Sequence, residues 1–370
     1  MGRQGTDMNI NGDGIKIELI GKPKTIISNP DSRHGYFAWP TVSLLQDGKI
    51  AVGASGFRIE HVCPFGKAVI SYSFDGGETY TLPAPVIDTP LDDRDAGICP
   101  FGKNGVIFTS FNNSAAMQKQ YNKENEYAQS YINTITKEDE EKYLGSNFRI
   151  SRDCGITFGK IFSSPVTSPH GPTELKDGTV LWAGTRFDDV FGGIEVRRLD
   201  TESGETELVG KITTPNRNLV LNEPHMIELP NGRLICHMRC ENSELFNDGE
   251  ETLFTVFQSV SEDKGRTWSA PEMLLDETGG APPHLIQLSS GVLLSTYGRR
   301  KQPYGIMAMI SHDGGNSWEK DIRIYENLAS DDIGYPSTVE LSDGTLLTVF
   351  YATDSEEKPC KIMQQKWRFV

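Results

Sequence analysis

The sequence predicts an all-β chain, a single domain over residues 1–370 folded as a six-bladed β-propeller of four-stranded antiparallel blades. Two observations carry that expectation: a strand–turn–strand frame occurs six times, and a second turn built around an aspartate follows it in four of the six copies. The frame reads WPTVSLLQDGKIAVGAS, AGICPFGKNGVIFTSF, GPTELKDGTVLWAGTR, NEPHMIELPNGRLICHMR, PHLIQLSSGVLLSTYGRR and YPSTVELSDGTLLTVFYA. In each copy an apolar run enters a tight turn at a glycine and a second run leaves it, which is the signature of a hairpin. The turn glycines (Gly48, Gly105, Gly178, Gly232, Gly291 and Gly344) lie 53 to 73 residues apart, a spacing typical of propeller blades and too uneven for a solenoid.

The second element is S-x-D-x-G-x-[ST]-aromatic, at Ser73–Tyr80, Ser151–Phe158, Ser261–Trp268 and Ser311–Trp318; LDTESGETEL is a decayed copy without the aromatic. The Asp and Ser/Thr side chains can bond the loop backbone, the glycine takes a dihedral other residues avoid, and the aromatic packs beneath the turn. Such a turn locks a hairpin and is structural. We expect each one to join the two outer strands of its blade. The second frame is followed by a polar, helix-forming stretch, Asn112 to Gly145, read as a helical insertion (112–145) that walls or lids the central cavity, serves dimerisation, or projects into solvent. KIMQQKWRFV reads as a closing strand, and IKIELIGKPKTII as the last strand of the same blade, sealing the ring.

Composition narrows the function. The chain carries 36 Lys+Arg against 51 Asp+Glu, a net charge of −15 with no basic stripe, which argues against nucleic acid or an anionic membrane as partner. Cys63, Cys99, Cys154, Cys236, Cys240 and Cys360 show no metal-ligand spacing and read as reduced thiols. No long apolar run or signal-peptide core is present, so a cytoplasmic location is the expectation. A run CPFGK occurs twice, at Cys63–Lys67 and Cys99–Lys103, and reads as a repeated strand start.

In a propeller the first strand of every blade lines the axis, so residues before it and after the second strand surround one mouth. That converts the repeats into a list. The first-strand starts supply Arg33, His34, Tyr36, Asp92, Asp93, Arg94, Asp95, His170, Glu223, His225, His284, Asp331, Asp332 and Tyr335. The second-strand exits supply Arg58, Asn112, Arg186, Arg239, Arg299 and Arg300. So many arginines at one mouth of an acidic protein point to an anion there, because guanidinium pairs bidentately with carboxylate, sulfate or phosphate. Five histidines at the same rim (His34, His61, His170, His225 and His284) suit hydrogen bonding or proton transfer; their spacing contains no metal-ligand motif, and neither metal nor cofactor is assigned.

The four Asp-containing turns resemble the Asp-box, or BNR, repeats of the sialidase (neuraminidase) superfamily, whose fold is a six-bladed β-propeller. The resemblance covers nearly the whole chain and implies a Tyr nucleophile, the sialidase exception among glycosidases. By position it gives Tyr335, in GYPSTVEL, the role of nucleophile, and Glu223, in NEPHMIEL, that of its proton acceptor. Arg239 resembles the second member of the family's arginine triad, with Arg299 or Arg300 at the third. The run YFAWP has Ala38 where the family's F/Y-R-I-P motif has its first arginine, so Arg33 or Arg58 would substitute. The first-blade loop GFRIEHVCPFGK has no aspartate for the acid, which leaves His61 as first choice of proton donor and Asp93 or Asp95 as alternatives. The implied activity is exo-hydrolysis of a small acidic glycoside other than an ordinary sialoside. A polysaccharide lyase using Tyr and His on a uronic acid, and a non-catalytic glycan-binding propeller, are the competing readings.

Overall fold

The computed structural model describes residues 8–10, 14–216, 218–242, 253–275, 280, 282–355 and 357–370. Six antiparallel sheets form the ring. Blade 1 comprises Tyr36–Leu44, Ile50–Arg58, Lys67–Ser73 and Ala84–Ile87; blade 2, Asp92–Phe101, Gly105–Asn113, Gly145–Ser151 and Phe162–Ser164. In blade 3 the inner strand is split into Val166–Thr167 and Thr173–Glu174, both paired to Val180–Arg186, followed by Ile194–Leu199 and Thr206–Ile212. Blade 4 holds Leu219–Glu228, Leu234–Asn242, Phe254–Ser261 and Glu272–Met273; blade 5, His284–Gln287, Leu293–Arg299, Gly305–Ser311 and Glu319–Glu326. Blade 6 joins Gly334–Glu340, Leu346–Ala352 and Lys361–Phe369 to Lys16–Ile27, with Met8–Ile10 added outside, so strands from the two ends of the sequence close the ring. No helix among the described residues is long and apolar enough to cross a membrane.

The core lies between blades, where alternating inward residues of one sheet meet the next. Ile50, Val52 and Val69 of blade 1, for example, cluster with Leu347, Val349 and Tyr351 of blade 6. All four Asp-containing turns connect the third and fourth strands of their blades and share one bonding scheme. In the blade 4 copy Ser261 Oγ accepts the Gly265 N–H (2.9 Å) and donates to Asp263 (2.9 Å), while Asp263 accepts both the Thr267 N–H (2.9 Å) and its hydroxyl (2.7 Å). The turn glycines have positive φ and lie against the preceding blade. A Cβ on Gly315 would sit 2.7 Å from Ile235, and Trp318 Nε1 bonds Gln258 of blade 4 at 3.0 Å. The turn therefore fastens blade to blade as well as strand to strand.

The stretch after Gly105–Asn113 forms three short helices, α1 (Ala115–Tyr121), α2 (Glu126–Ile132) and α3 (Lys137–Tyr143), capped by Ser114, Asn125 and Thr136. They pack against blade 1. Phe65 stacks on Tyr127 and meets Tyr131 at a tilt, Arg33 lies 4.0 Å over the Tyr127 ring, and Gln118 Nε2 reaches back to the buried Asp92 of blade 2 at 2.7 Å.

One local feature aims the chemistry. The inner strands of blades 1, 2, 4 and 6 each slip register at a bulge, and the residue at the bulge has positive φ: Trp39 (53°), Asp95 (47°), Glu223 (48°) and Tyr335 (48°). Gly171 (83°) stands at the same place in blade 3. Bulges re-aim side chains, and left-handed non-glycine residues cost on the order of 1–3 kcal/mol each. Three such residues with ionisable side chains at equivalent points of one ring make that level the candidate site.

Candidate active site

Tyr335 Oη donates to Glu223 Oε1 at 2.5 Å, across the axis from blade 6 to blade 4. Arg239, which follows Glu223 on the neighbouring strand, places Nη1 2.6 Å from Glu223 Oε2 and bonds Asn222 Oδ1 through Nε (2.9 Å) and Glu241 through Nη2 (3.4 Å). The contact to Glu223 is ionic and off the hydrogen-bonding direction. Burial raises the Tyr335 phenol well above its usual range, with the Glu223 and Asp95 charges adding to the effect and Arg239 and Arg300 opposing it. The resting tyrosine is thus a neutral hydroxyl pointed at a carboxylate.

Asp95 is 5% exposed and accepts no hydrogen bond from the described residues. Burial, and then the Glu223 charge, push its carboxyl up to about 7, against the pull of Arg94, Arg239 and Arg58. Its position in the Tyr335 and Glu223 field makes it the group poised to hold a proton near neutrality.

Arg300 flanks the tyrosine, its guanidinium 5.9 Å from the ring centre, and bonds Ile333 O (3.0 Å) and Tyr351 Oη (2.9 Å). Tyr351 donates in turn to Asp332 Oδ1 at 3.1 Å, and Tyr36 donates to Asp332 Oδ2 at 2.8 Å. His61 Nδ1 also meets Asp332 Oδ1, at 3.0 Å. Although burial works to raise it, these bonds hold Asp332 below the usual carboxylate range. Trp39 forms the floor, with Arg94 4.0 Å over its ring, Tyr335 6.5 Å away and His61 5.0 Å away.

The structure sorts the sequence-based candidates. It brings together Tyr335, Glu223, Arg239, Asp95, Arg94 and Arg300. His61 stays at the mouth, where burial, and then the neighbouring Arg94 and Arg58, outweigh Asp332 and lower its pKa, which makes it a weaker choice of proton donor than Asp95. Asp93 leaves the list. Its carboxylate is spent on the Thr89 N–H (2.6 Å), the Thr89 hydroxyl (2.9 Å) and Asn112 (3.3 Å), fully buried, and although burial raises it to about 7 it faces a turn.

Arg58 is corrected too, being completely buried and doubly bonded to Asp92 (2.5 and 3.1 Å) beneath Trp39. Arg33 stacks on Tyr127, and His34 donates through Nδ1 to Phe57 O (2.8 Å) and meets the Tyr127 hydroxyl (2.9 Å); both anchor the insertion. Arg186 pairs within its own blade to Asp188 and, at 3.9 Å, Glu195. Arg299 lies one residue before Arg300 and so turns to the other face, where its charge is felt by Tyr297. His225 and His284 lie further along the inner strands, in a cluster with His170 that lines the other half of the axial channel.

Two residues at the site carry no signal in the sequence. Tyr351 sits mid-strand in an apolar run and reads as core, and Trp39 reads as packing; only their proximity to Asp332 and Tyr335 reveals them. The first CPFGK run has a physical role, because a Cβ on Gly66 would fall 2.1 Å from Arg58 Nη1 and 2.3 Å from Asp92 Oδ1. The second is different: it ends the inner strand of blade 2 and turns at Gly102, so the two are not a repeated strand start.

Comparisons with known proteins agree with this architecture. No curated protein matches the chain in sequence. A protein of unknown function from Dyadobacter fermentans superposes with a TM-score of 0.73 at 19% identity, over 96% of this chain and 99% of that one. An intramolecular trans-sialidase from Ruminococcus gnavus (TM-score 0.64, 13% identity, 94% and 97% covered) and an α-L-arabinofuranosidase from Fusarium graminearum (0.64, 12%, 94% and 97%) share the fold. The BNR repeat-like domain matches residues 122–348, from within the helical insertion to the last blade. With six blades, repeated Asp-containing turns and that match over more than half its length, the chain belongs to the BNR repeat-like family and has the six-bladed propeller fold that the sialidases share.

Proposed function

We propose that the protein is a retaining exo-glycosidase acting on a small acidic glycoside, with Tyr335 as nucleophile, Glu223 as its base and Asp95 as general acid. The observation that carries the reading is the 2.5 Å Tyr335–Glu223 bond beside a carboxyl raised to about 7. In the first step the Tyr335 oxygen bonds to the anomeric carbon, its proton passes to Glu223, and the glycosidic bond breaks as Asp95 protonates the departing oxygen. Water then attacks the glycosyl–tyrosine with Asp95, now ionised, accepting its proton; the phenolate leaves and recovers its proton from Glu223. A neutral phenol approaches a substrate carboxylate without the repulsion that a second carboxylate would meet. Arg94, Arg239 and Arg300 supply the cationic wall that favours an acidic sugar, and Ala38 in place of the usual clamp arginine argues against an ordinary sialoside.

An activated fluorinated glycoside should leave a sugar mass on the peptide carrying Tyr335. Tyr335→Phe should lose turnover while keeping most of its substrate affinity. An adduct on a carboxylate would reject Tyr335 as nucleophile. A panel of sialic, uronic and neutral aryl glycosides tests the substrate, and preference for a neutral sugar would reject its acidity. The Tyr36–His61 contact (3.2 Å) favours one other reading, proton abstraction by a lyase. Product mass separates the two, since hydrolysis adds water and elimination leaves an unsaturated sugar.

A further inference from the structure

His225 and His284, on the inner strands of blades 4 and 5, meet His170, in the turn that splits the inner strand of blade 3, at ring-centroid distances of 4.4 to 5.5 Å. They lie at a cavity of about 400 Å³ in the half of the channel away from Tyr335, walled also by Val42, Pro100, Pro172 and Ile286. The hydrogen bonds fix each tautomer. His225 Nδ1 accepts the Leu285 N–H (3.0 Å) and His284 Nδ1 accepts the Thr338 N–H (3.2 Å), so in both neutral rings the proton is on Nε2. Thr41 Oγ1 donates to Pro169 O (3.1 Å) and therefore accepts from His170 Nδ1 (3.0 Å), which leaves His170 Nε2 a bare lone pair. That nitrogen belongs to a residue 1% exposed and has no partner.

Two N–H donors and one acceptor do not suit a metal, which needs lone pairs from every ring, and the stacked rings of His225 and His284 (13° apart) cannot converge on one ion. They suit an acid. We propose that the cavity binds a small carboxylic acid, taken up as a carboxylate together with one proton: the Nε2–H groups of His225 and His284 donate to the carboxylate, and His170 Nε2 holds the proton against it. The other titratable groups lining the cavity are Cys99, Glu174, Lys176 and Glu228. Glu174 and Glu228 are already accepting the main-chain N–H groups of Gly102 (2.7 Å) and Lys176 (2.6 Å). Lys176 is the cation at the rim.

Acetate is the probe, titrated calorimetrically into the full-length protein at pH 6, 7 and 8 in two buffers of different ionisation enthalpy. The expected result is one site, about one proton taken up per acetate and an affinity falling about tenfold per pH unit. His170→Asn should flatten the pH dependence, and His225→Gln with His284→Gln should weaken binding at every pH. Because these buried positions bear on folding, the proton count on the unaltered protein is decisive by itself. Binding without proton uptake, no binding at any pH, or stoichiometric zinc binding lost in His170→Asn would each overturn the proposal.

Discussion

Replacing Asp95 with asparagine should make the protein less active and, at neutral pH and above, more stable. Its carboxyl is moved from 3.8 to about 7, and the side chain is almost fully buried beside Glu223. At about 1.4 kcal/mol per tenfold, ionising it costs about 4 kcal/mol more in the folded protein than in the unfolded chain. Below pH about 4 the acid is neutral in both states and the cost is absent. As pH rises the unfolded chain ionises first and draws the equilibrium toward itself, until the loss is complete above about 7. The amide of the variant never ionises, so the advantage of Asp95→Asn should grow from near zero in acid to an upper bound of about 4 kcal/mol at pH 8. Urea unfolding at pH 5, 6, 7 and 8 reads it directly. On the proposed reading, with Asp95 as general acid, the same variant should lose roughly a hundredfold to ten-thousandfold in kcat/KM, and the unaltered protein should lose activity above pH about 7 as Asp95 gives up its proton. A stability difference independent of pH, or activity retained in the variant, would refute the assignment.

Two further outcomes follow from the same bonding. Asp153, Asp263 and Asp313 are held at about 2, mainly by bonds from the Thr or Ser four residues on, so they stabilise the fold above about pH 4 and that contribution is lost as pH falls toward 2. Thermal scans between pH 2 and 5 should show a shallower acid decline in Asp263→Asn than in the unaltered protein; identical slopes would mean that the turns are not what titrates. Asp92→Asn leaves the fully buried Arg58 without its counter-charge and should cost about 3–5 kcal/mol in urea unfolding. A loss below about 1 kcal/mol would show that water or Glu60 O takes over the guanidinium.

The fold is legible because its punctuation is: Asn231-Gly232 and its five counterparts, with the Asp-containing turns in phase, give the blade number without reference to packing. The pairing of Tyr335 with Glu223 is legible for the same reason, since both hold equivalent places two blades apart. What sequence cannot rank is the run Asp92-Asp93-Arg94-Asp95. Alternation and one bulge send these four side chains into an ion pair, a turn, the tryptophan floor and the mouth, and only burial and partners distinguish them. The histidines mislead by a simple offset. A frame that starts each strand beside its hairpin puts His225 and His284 at the mouth, whereas Leu219–Glu228 begins earlier and carries Glu223 at its bulge, so His225 lies past the site.

The bulge positions have a consequence for how such a protein changes its chemistry over time. Around the ring the corresponding positions read Trp39, Asp95, Gly171, Glu223, Pro282 (just before the inner strand of blade 5, which has no register shift) and Tyr335, and in all but the second the next residue is proline. Each station is a socket whose backbone is fixed by its own blade while most of the apolar packing between blades lies further out along the sheets. Asp95 and Glu223 stand outside the apolar clusters, Trp39 and Tyr335 belong to the core between blades 1 and 6, and Gly171 is a station with no side chain at all. A change at Asp95 or Glu223 would therefore touch the mouth alone, whereas a change at Trp39 or Tyr335 would touch the mouth and the inter-blade core together.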